Sequence, residues 1–122
     1  MVPDDTIRIS HQPGGDIWQV DLRGEHDLST AARVADALEE LPATSRVIVD
    51  LSEATFIDCA IIRLLVERAD QGRPAGGTLA VVVGRDTAPR RVIDMIGLDH
   101  MLPVHDTLPA ALADHGSGKR AG

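Results

Sequence analysis

The residue best suited to covalent chemistry is Cys59, the only cysteine of the chain. It follows Asp58 at the predicted start of a helix, where the free N–H groups favour a thiolate and the neighbouring carboxylate disfavours it. Four interpretations stay open: an inert structural thiol, a neutral group on a binding surface, a redox-sensitive thiol and a catalytic nucleophile. No histidine lies beside Cys59 in the sequence, so nucleophilic catalysis has the least support. A single cysteine forms no disulfide within the chain, which indicates a reducing compartment.

Three short polar side chains, Asp27, Ser29 and Asp58, precede or begin predicted helices. Such side chains accept hydrogen bonds from the backbone N–H groups that a helix leaves free in its first turn. We expect either Asp27 or Ser29 to cap the first helix and Asp58 to cap the second. Contact with a partner protein is the alternative role of all three.

Neither the histidines nor the arginines form a known ligand-binding motif. The spacing of the histidines matches no metal site, so they are expected in solvated loops; they are His11, His26, His100, His105 and His115. Arg85, Arg90 and Arg91 form a basic cluster near the third predicted helix, and we interpret it as a solvated face. No glycine segment precedes the Lys-Ser or Lys-Thr pair of a phosphate-binding loop. We therefore expect no metal and no cofactor.

Composition limits the class of partner. The chain has 122 residues and a formal net charge of −7, which is the size of one domain without the basic patch of a nucleic-acid binding protein. Trp18 and Phe56 are its only large aromatic residues, so the core must be aliphatic. No apolar run approaches the roughly 20 residues that span a bilayer, and the acidic N-terminus lacks the features of a signal peptide. We expect a cytoplasmic protein that neither binds nucleic acid nor inserts into a membrane.

Hydrophobic periodicity predicts alternating strands and helices in the order β-β-α-β-α-β-α-β-α, which is typical of an α/β fold. The predicted strands are residues 6–10, 17–22, 46–51, 79–83 and 101–104. Helices are predicted over residues 29–41 and 59–70, after Asp86 or Thr87, and after Thr107. In the second helix, Arg63, Glu67 and Arg68 are expected to face solvent, and the inward face is expected to hold Ile61, Ile62, Leu65, Val66 and Ala69. Residues 71–77 are interpreted as a Gly/Pro linker. One domain is expected over residues 1–113, followed by a disordered tail over 114–122.

Three stretches resemble one known family. Residues 22–31 (LRGEHDLSTA) resemble the G-x-x-D-x-x-x-A start of the first helix in STAS domains, named for sulfate transporters and anti-sigma factor antagonists. Residues 47–52 (VIVDLS) resemble the central strand, and residues 55–65 (TFIDCAIIRLL) the F-I-D-S-S-G-L-x-x-L signature. The chain is thus similar to the anti-sigma factor antagonist type. The resemblance implies a mixed sheet of four or five strands with helices packed mainly on one side.

The resemblance also implies a bacterial transcription regulator without enzymatic activity, which binds an anti-sigma factor that is often a serine kinase. In the family, this kinase phosphorylates the serine after the signature aspartate and so breaks the complex. Cys59 occupies that position here, so phosphorylation is expected to be lost. The implied partner surface comprises Gly24, Asp27, Ser29, Thr30, Asp58, Cys59, Ala60, Ile61 and Arg63. A structural STAS subunit of a transport or signalling complex is the alternative, and weak homodimerisation stays open.

Overall fold

The computed structural model describes residues 6–12 and 15–117, and within these ranges it contains seven strands and four α-helices. The strands are β1 (Ile7–His11), β2 (Ile17–Leu22), β3 (Gly24–His26), β4 (Arg46–Asp50), β5 (Ala54–Ile57), β6 (Thr78–Val82) and β7 (Val104–His105). The helices are α1 (Leu28–Glu39), α2 (Cys59–Gly72), α3 (Ala88–Ile96) and α4 (Leu108–Ser117). The predicted α/β order is confirmed, with the short strands β3 and β5 added to it.

Five strands form one mixed sheet in the order β1-β2-β4-β6-β7. β1 is antiparallel to β2, with Ile7 opposite Leu22, and every other pair in this sheet is parallel. The remaining strands, β3 and β5, form a separate parallel pair. The predicted mixed sheet is therefore confirmed at its upper size of five strands.

The core is aliphatic and lies mainly between the sheet and the helices α1, α2 and α3. Val20, Val49 and Val81 of neighbouring strands pack on this face with Leu38 and Leu65 of the helices. The opposite face is smaller and holds Ile48, Val82 and Ala111, where α4 covers the sheet. β4 is buried on both faces, which explains why its sequence is continuously apolar instead of alternating.

Several predicted boundaries need correction. The expected linker over residues 71–77 is partly helical, because α2 continues to Gly72 and a 3₁₀ turn follows over Arg73–Ala75. The last strand is Val104–His105 instead of residues 101–104, because the backbone N–H groups of Met101 and Leu102 donate to the carbonyl oxygen of Leu98 and so belong to a turn. α4 reaches Ser117 and so includes the first part of the segment that was predicted as a disordered tail. Residues 118–122 and the Pro13-Gly14 turn lie outside the described residues.

Arg68 does not face solvent as the helical pattern predicted. Its guanidinium donates hydrogen bonds from Nη1 to the carbonyl oxygens of Leu38 at 2.7 Å and Leu41 at 3.3 Å, and from Nη2 to Pro42 at 2.9 Å. Leu38 lies in the last turn of α1, and Leu41 and Pro42 lie in the segment that follows the helix, so one side chain of α2 adds donors to three carbonyls around the end of α1. Burial lowers the pKa of Arg68, but an arginine remains charged.

No helix in the part of the chain that the structure describes is long and apolar enough to cross a membrane.

Candidate functional site

The two-stranded sheet β3–β5 sets the starts of two helices side by side. His26 lies opposite Ile57 in this parallel pair, and the next residues, Asp27 and Asp58, begin α1 and α2. Neighbouring strands lie about 4.8 Å apart, so the two helix starts form one continuous surface. The sequence suggested this closeness only through the family resemblance, because β3 and β5 are too short to show a periodic pattern.

Gly24 makes the turn from β2 into β3. Its φ angle is +78°, a left-handed conformation that glycine adopts at little cost, and its N–H donates to the carbonyl oxygen of Glu53 at 3.0 Å. Gly24 was predicted to lie on the partner surface. The geometry gives it a backbone role, which is to aim β3 and the start of α1.

The start of α1 is a capping box, and Asp27 is its cap. Asp27 Oδ1 accepts hydrogen bonds from the backbone N–H of Ser29 at 2.9 Å and from its hydroxyl at 2.6 Å. In return, the Asp27 N–H donates to Thr30 Oγ1 at 3.2 Å. The hydrogen bonds from the Ser29 hydroxyl and the Ser29 N–H lower the pKa of the Asp27 carboxyl below its ordinary value, and the hydroxyl has the larger effect. Of the two predicted caps, Asp27 is therefore the right one.

The start of α2 is capped by Asp58, as predicted. Asp58 Oδ1 accepts a hydrogen bond from the Ala60 N–H at 3.0 Å. Cys59 is exposed, which removes the interpretation of this thiol as a buried structural residue. Arg63, one turn further along the helix, is also exposed, and Ala60 is half-buried.

Two residues of the expected partner surface lie inside the protein. Ile61 is 0% exposed and belongs to the main core, because it is the first inward-facing position of α2. Thr30 is 9% exposed, and its hydroxyl is used by the capping box and by His26. Neither side chain is available for direct contact with a partner, so both assignments were wrong.

Two large apolar side chains at the helix starts are exposed and were not predicted there. Leu28, the first residue of α1, is 76% exposed, and Phe56 of β5 is 45% exposed. Phe56 lies opposite Glu25 in the β3–β5 register, and its neighbour Ile57 is fully buried. Recognising residues 54–57 as a strand would have assigned these neighbours to opposite faces. Nothing in the sequence distinguishes Leu28 from a core residue.

The histidines do not share one environment, contrary to prediction. His26 is 0% exposed, and His105 is partly buried with its Nε2 3.4 Å from Asp114 Oδ2. His11 stacks on Trp18 with 4.3 Å between ring centroids, and His100 is exposed. The side chain of His115 lies outside the described residues. Among the described residues, no three metal-binding side chains lie together.

The predicted basic face near α3 is an ion-pair network. Asp106 accepts from Arg85 Nε at 2.7 Å and from Arg90 Nη1 at 2.8 Å, and Arg90 also donates to Asp94 and to the carbonyl oxygen of Val83. The hydrogen bonds from Arg90 and Arg85 hold the pKa of the Asp106 carboxyl below its ordinary value, and the bond from Arg90 has the larger effect. Arg85 is nevertheless 77% exposed and Arg91 is exposed, as predicted for a solvated face, whereas Arg90 is only 23% exposed and departs from the prediction.

Comparison with known proteins gives concordant matches. Residues 12–103 match the family model described as "Mlab, STAS domain". The chain is 31% identical over 112 residues to the anti-sigma-F factor antagonist RsfA of Mycobacterium tuberculosis, covering 89% of this chain and 80% of that protein. The antagonist RsfB of the same organism is 28% identical over 124 residues, with 98% of each chain covered.

Solved structures match over nearly the whole chain. An anti-sigma factor antagonist from Mycobacterium paratuberculosis superposes with a TM-score of 0.77 at 26% identity, covering 93% of this chain and 97% of that one. The unphosphorylated anti-sigma factor antagonist SpoIIAA superposes with a TM-score of 0.62 at 15% identity, covering 93% and 99% of the two chains. At this low identity, the second match bears on the fold alone.

Proposed function

The chain belongs to the STAS domain family of anti-sigma factor antagonists, and on that premise we propose that it binds an anti-sigma factor through the paired starts of α1 and α2. The observation that carries the proposal is the exposure of Leu28, Phe56 and Cys59 around the capped Asp27 and Asp58. Antagonists of this family are regulators without enzymatic activity, so we assign no reaction to the site.

The chemistry of this surface suits a protein partner. Leu28 and Phe56 expose apolar area that gains free energy when a partner removes it from water, at roughly 25 cal/mol per Å². The carboxylates of Asp27 and Asp58 each accept a hydrogen bond from a backbone N–H group, so they add negative charge to the surface while their hydrogen bonds are already made within the protein. Arg63 and Ser29 add exposed polar groups at the rim. Such a mixture of apolar centre and polar rim is common in protein interfaces.

We further propose that the partner is of the serine-kinase type and that it no longer switches this chain by phosphorylation at residue 59. A serine kinase transfers its phosphoryl group to a hydroxyl, and Cys59 offers a thiol. A phosphate would add about −1.5 to −2 charges beside Asp58, whereas the thiol leaves the surface uncharged when protonated. Binding at this surface would then be constitutive, and a cytoplasmic location follows from the same proposal.

A pull-down from the native lysate tests the partner and the position together. The wild type, Cys59→Ser, Cys59→Gln and Cys59→Glu are compared, and captured proteins are identified by mass spectrometry. We expect the wild type and the Ser and Gln variants to capture an anti-sigma factor and the Glu variant to lose it. Because Gln and Glu differ mainly in charge, this difference would show that a negative charge at residue 59 prevents binding. Equal capture by the Glu variant would put residue 59 outside the interface. Intact-mass analysis with the captured kinase and ATP would contradict the lost switch if phosphate were found on residue 59.

A structural subunit of a transport or signalling complex is the second candidate. The description of the family model that matches residues 12–103 names Mlab and does not name an antagonist, and this observation supports the second candidate. The same pull-down separates the two functions. Recovery of a permease or transport ATPase, with no anti-sigma factor, would support the subunit and contradict the antagonist.

A further inference from the structure

His26 is completely buried and joins three separate segments of the chain. Its Nε2 lies 3.1 Å from the carbonyl oxygen of Thr6, beside β1, and 3.1 Å from that of Arg23, after β2. Its Nδ1 lies 3.1 Å from Thr30 Oγ1 in the first turn of α1. A polar side chain at 0% exposure costs free energy unless its hydrogen bonds are made, and this imidazole makes them on both nitrogens.

The partners fix the tautomer of this imidazole. Carbonyl oxygens only accept hydrogen bonds, so Nε2 must carry a proton to bind Thr6 and Arg23. When Nδ1 carries no proton, it accepts the proton of the Thr30 hydroxyl, for which the carbonyl oxygen of Asp27, 3.2 Å from Thr30 Oγ1, is the competing acceptor. The direction of the bond between His26 and Thr30 therefore follows from two backbone atoms outside α1.

The Thr30 hydroxyl connects His26 to the cap of α1, because the same oxygen contacts both. Its oxygen accepts the N–H of Asp27 at 3.2 Å, which is one half of the capping box. The carboxylate of Asp27 supplies the other half through Ser29. His26, Thr30 and Asp27 thus form one hydrogen-bonded chain from β1 to the exposed start of α1.

We propose that His26 is a positioning residue for the partner surface, a role that rests on the proposed function. It cannot touch a partner, since none of its surface is exposed. Instead it holds Thr30, and through it Asp27, Leu28 and Ser29, in place beside the start of α2. It also ties this surface to the backbone of Thr6, so the beginning of β1 contributes to recognition without contacting the partner.

Two substitutions at residue 26 separate the contributions of the two ring nitrogens, because each retains the hydrogen bonds of one nitrogen and removes those of the other. His26→Gln places an amide nitrogen where Nε2 lies and retains the bonds to the carbonyls, but offers no acceptor at the Nδ1 position. His26→Asn places an amide oxygen near Nδ1 and retains an acceptor for Thr30, but does not reach the carbonyls. Thr30→Val removes the hydroxyl at nearly equal size, and Thr30→Ser retains it as a rescue. All four variants are made in the full chain.

The first readout needs no partner. Nitrogen NMR of the wild type should show a proton on Nε2, which faces two carbonyl oxygens; an Nε2 without a proton would overturn the proposal. Backbone hydrogen exchange is then followed at Asp27 and Ser29, with Val49 in the core as the internal reference. Thr30→Val and His26→Gln should exchange about fivefold faster at the cap, relative to Val49, and Thr30→Ser should stay near the wild type.

The second readout is affinity for the anti-sigma factor captured by the wild type. Affinity should fall about fivefold in Thr30→Val and recover in Thr30→Ser, following the exchange rate at the cap instead of global stability. Unchanged affinity with a loosened cap would overturn the positioning role. Should the wild type capture no anti-sigma factor, the proposed function fails, and the exchange data alone decide whether His26 holds the start of α1. Uniform acceleration at the cap and at Val49 would reduce His26 to a general stability residue and contradict the inference.

Discussion

The guanidinium of Arg68 lies 2.7 Å from the carbonyl oxygen of Leu38, so a side chain of α2 closes the last turn of α1. Two further carbonyls, those of Leu41 and Pro42, accept from the same group. The last turn of α1 has no basic residue of its own to interact with these carbonyls. A side chain of one helix thus adds hydrogen-bond donors to the end of its neighbour, which holds the two helices together at the end opposite to the candidate surface.

Replacement of Arg68 should therefore destabilise the fold. We expect Arg68→Ala to lower the free energy of unfolding by about 2 kcal/mol, since it removes charged hydrogen bonds to carbonyls that are partly shielded from water. Arg63→Ala is the matched control, because this arginine lies on the exposed face of the same helix. Denaturant titrations of both variants measure the difference. Equal stability of the two would mean that the Arg68 bonds make no net contribution.

The turn at Gly24 should tolerate little besides glycine. Gly24→Ala must adopt the φ angle of +78° with a Cβ atom, at a cost of about 1 kcal/mol, and Gly24→Asn should cost less. Gly15→Ala serves as control, since a Cβ there meets nothing within 4 Å and the φ angle is not in the left-handed region. Chemical denaturation compares the three variants. A Gly24→Ala protein as stable as Gly15→Ala would show that the turn relaxes freely.

The thiol of Cys59 should react in the native protein. It is exposed and is the only cysteine, so an aromatic disulfide reagent should release one equivalent of coloured thiolate without denaturant. Cys59→Ser gives the background. Reaction only after addition of denaturant would mean that the thiol is covered in solution, for instance by self-association at the helix starts.

The Asp106 ion pairs predict a defined loss of stability in acid. A carboxyl whose pKa is lower in the folded state stabilises the fold above the unfolded pKa, and this contribution is lost as the pH falls through the folded value. The free energy of unfolding should thus fall from about pH 4 downward, and less steeply in Asp106→Asn than in the wild type. Asp99→Asn, which removes an exposed carboxylate, should retain the wild-type slope. Parallel slopes for all three proteins would contradict the assignment.

Leu28 should matter for binding and not for folding. Leu28→Glu removes an exposed apolar side chain and puts a negative charge in the first turn of α1, where the helix tolerates it, so stability should be retained. Affinity for the captured anti-sigma factor should fall about tenfold. Met95→Glu is a matched control, because Met95 is 82% exposed on a different helix. Titration calorimetry gives both affinities, and an equal effect of the two changes would argue against a specific role of Leu28.

Long periodic segments were predictable from the sequence. The alternation over residues 17–22 gave β2 with its correct bounds, and the apolar spacing after Asp58 gave the start and the buried face of α2. These patterns are visible because each burial position is repeated within a single element. The cap Asp58 was equally predictable, since a cap acts on the residues that follow it directly, and of the two candidates Asp86 and Thr87 it is Thr87 that caps α3.

The remaining features depend on contacts between distant parts of the chain. Arg68 meets the end of α1 across 30 residues of sequence, and His26 meets Thr6 across 20. The sequence around Arg68 and around His26 looks like that of solvent-exposed residues, so both side chains were predicted to be exposed. Within the described residues, the short strands β3 and β5 pair only with each other, and neither is long enough for alternation to stand out.

The side-by-side starts of α1 and α2 also have an electrostatic consequence. Each helix N-terminus carries the equivalent of about half a positive charge, and two parallel helices that begin at one level place these like charges together. Their mutual repulsion would tend to spread the helices apart. Asp27 and Asp58 each put a negative charge at one of the two ends. Each aspartate therefore screens the neighbouring helix as well as its own, and together they favour the parallel arrangement on which the surface depends.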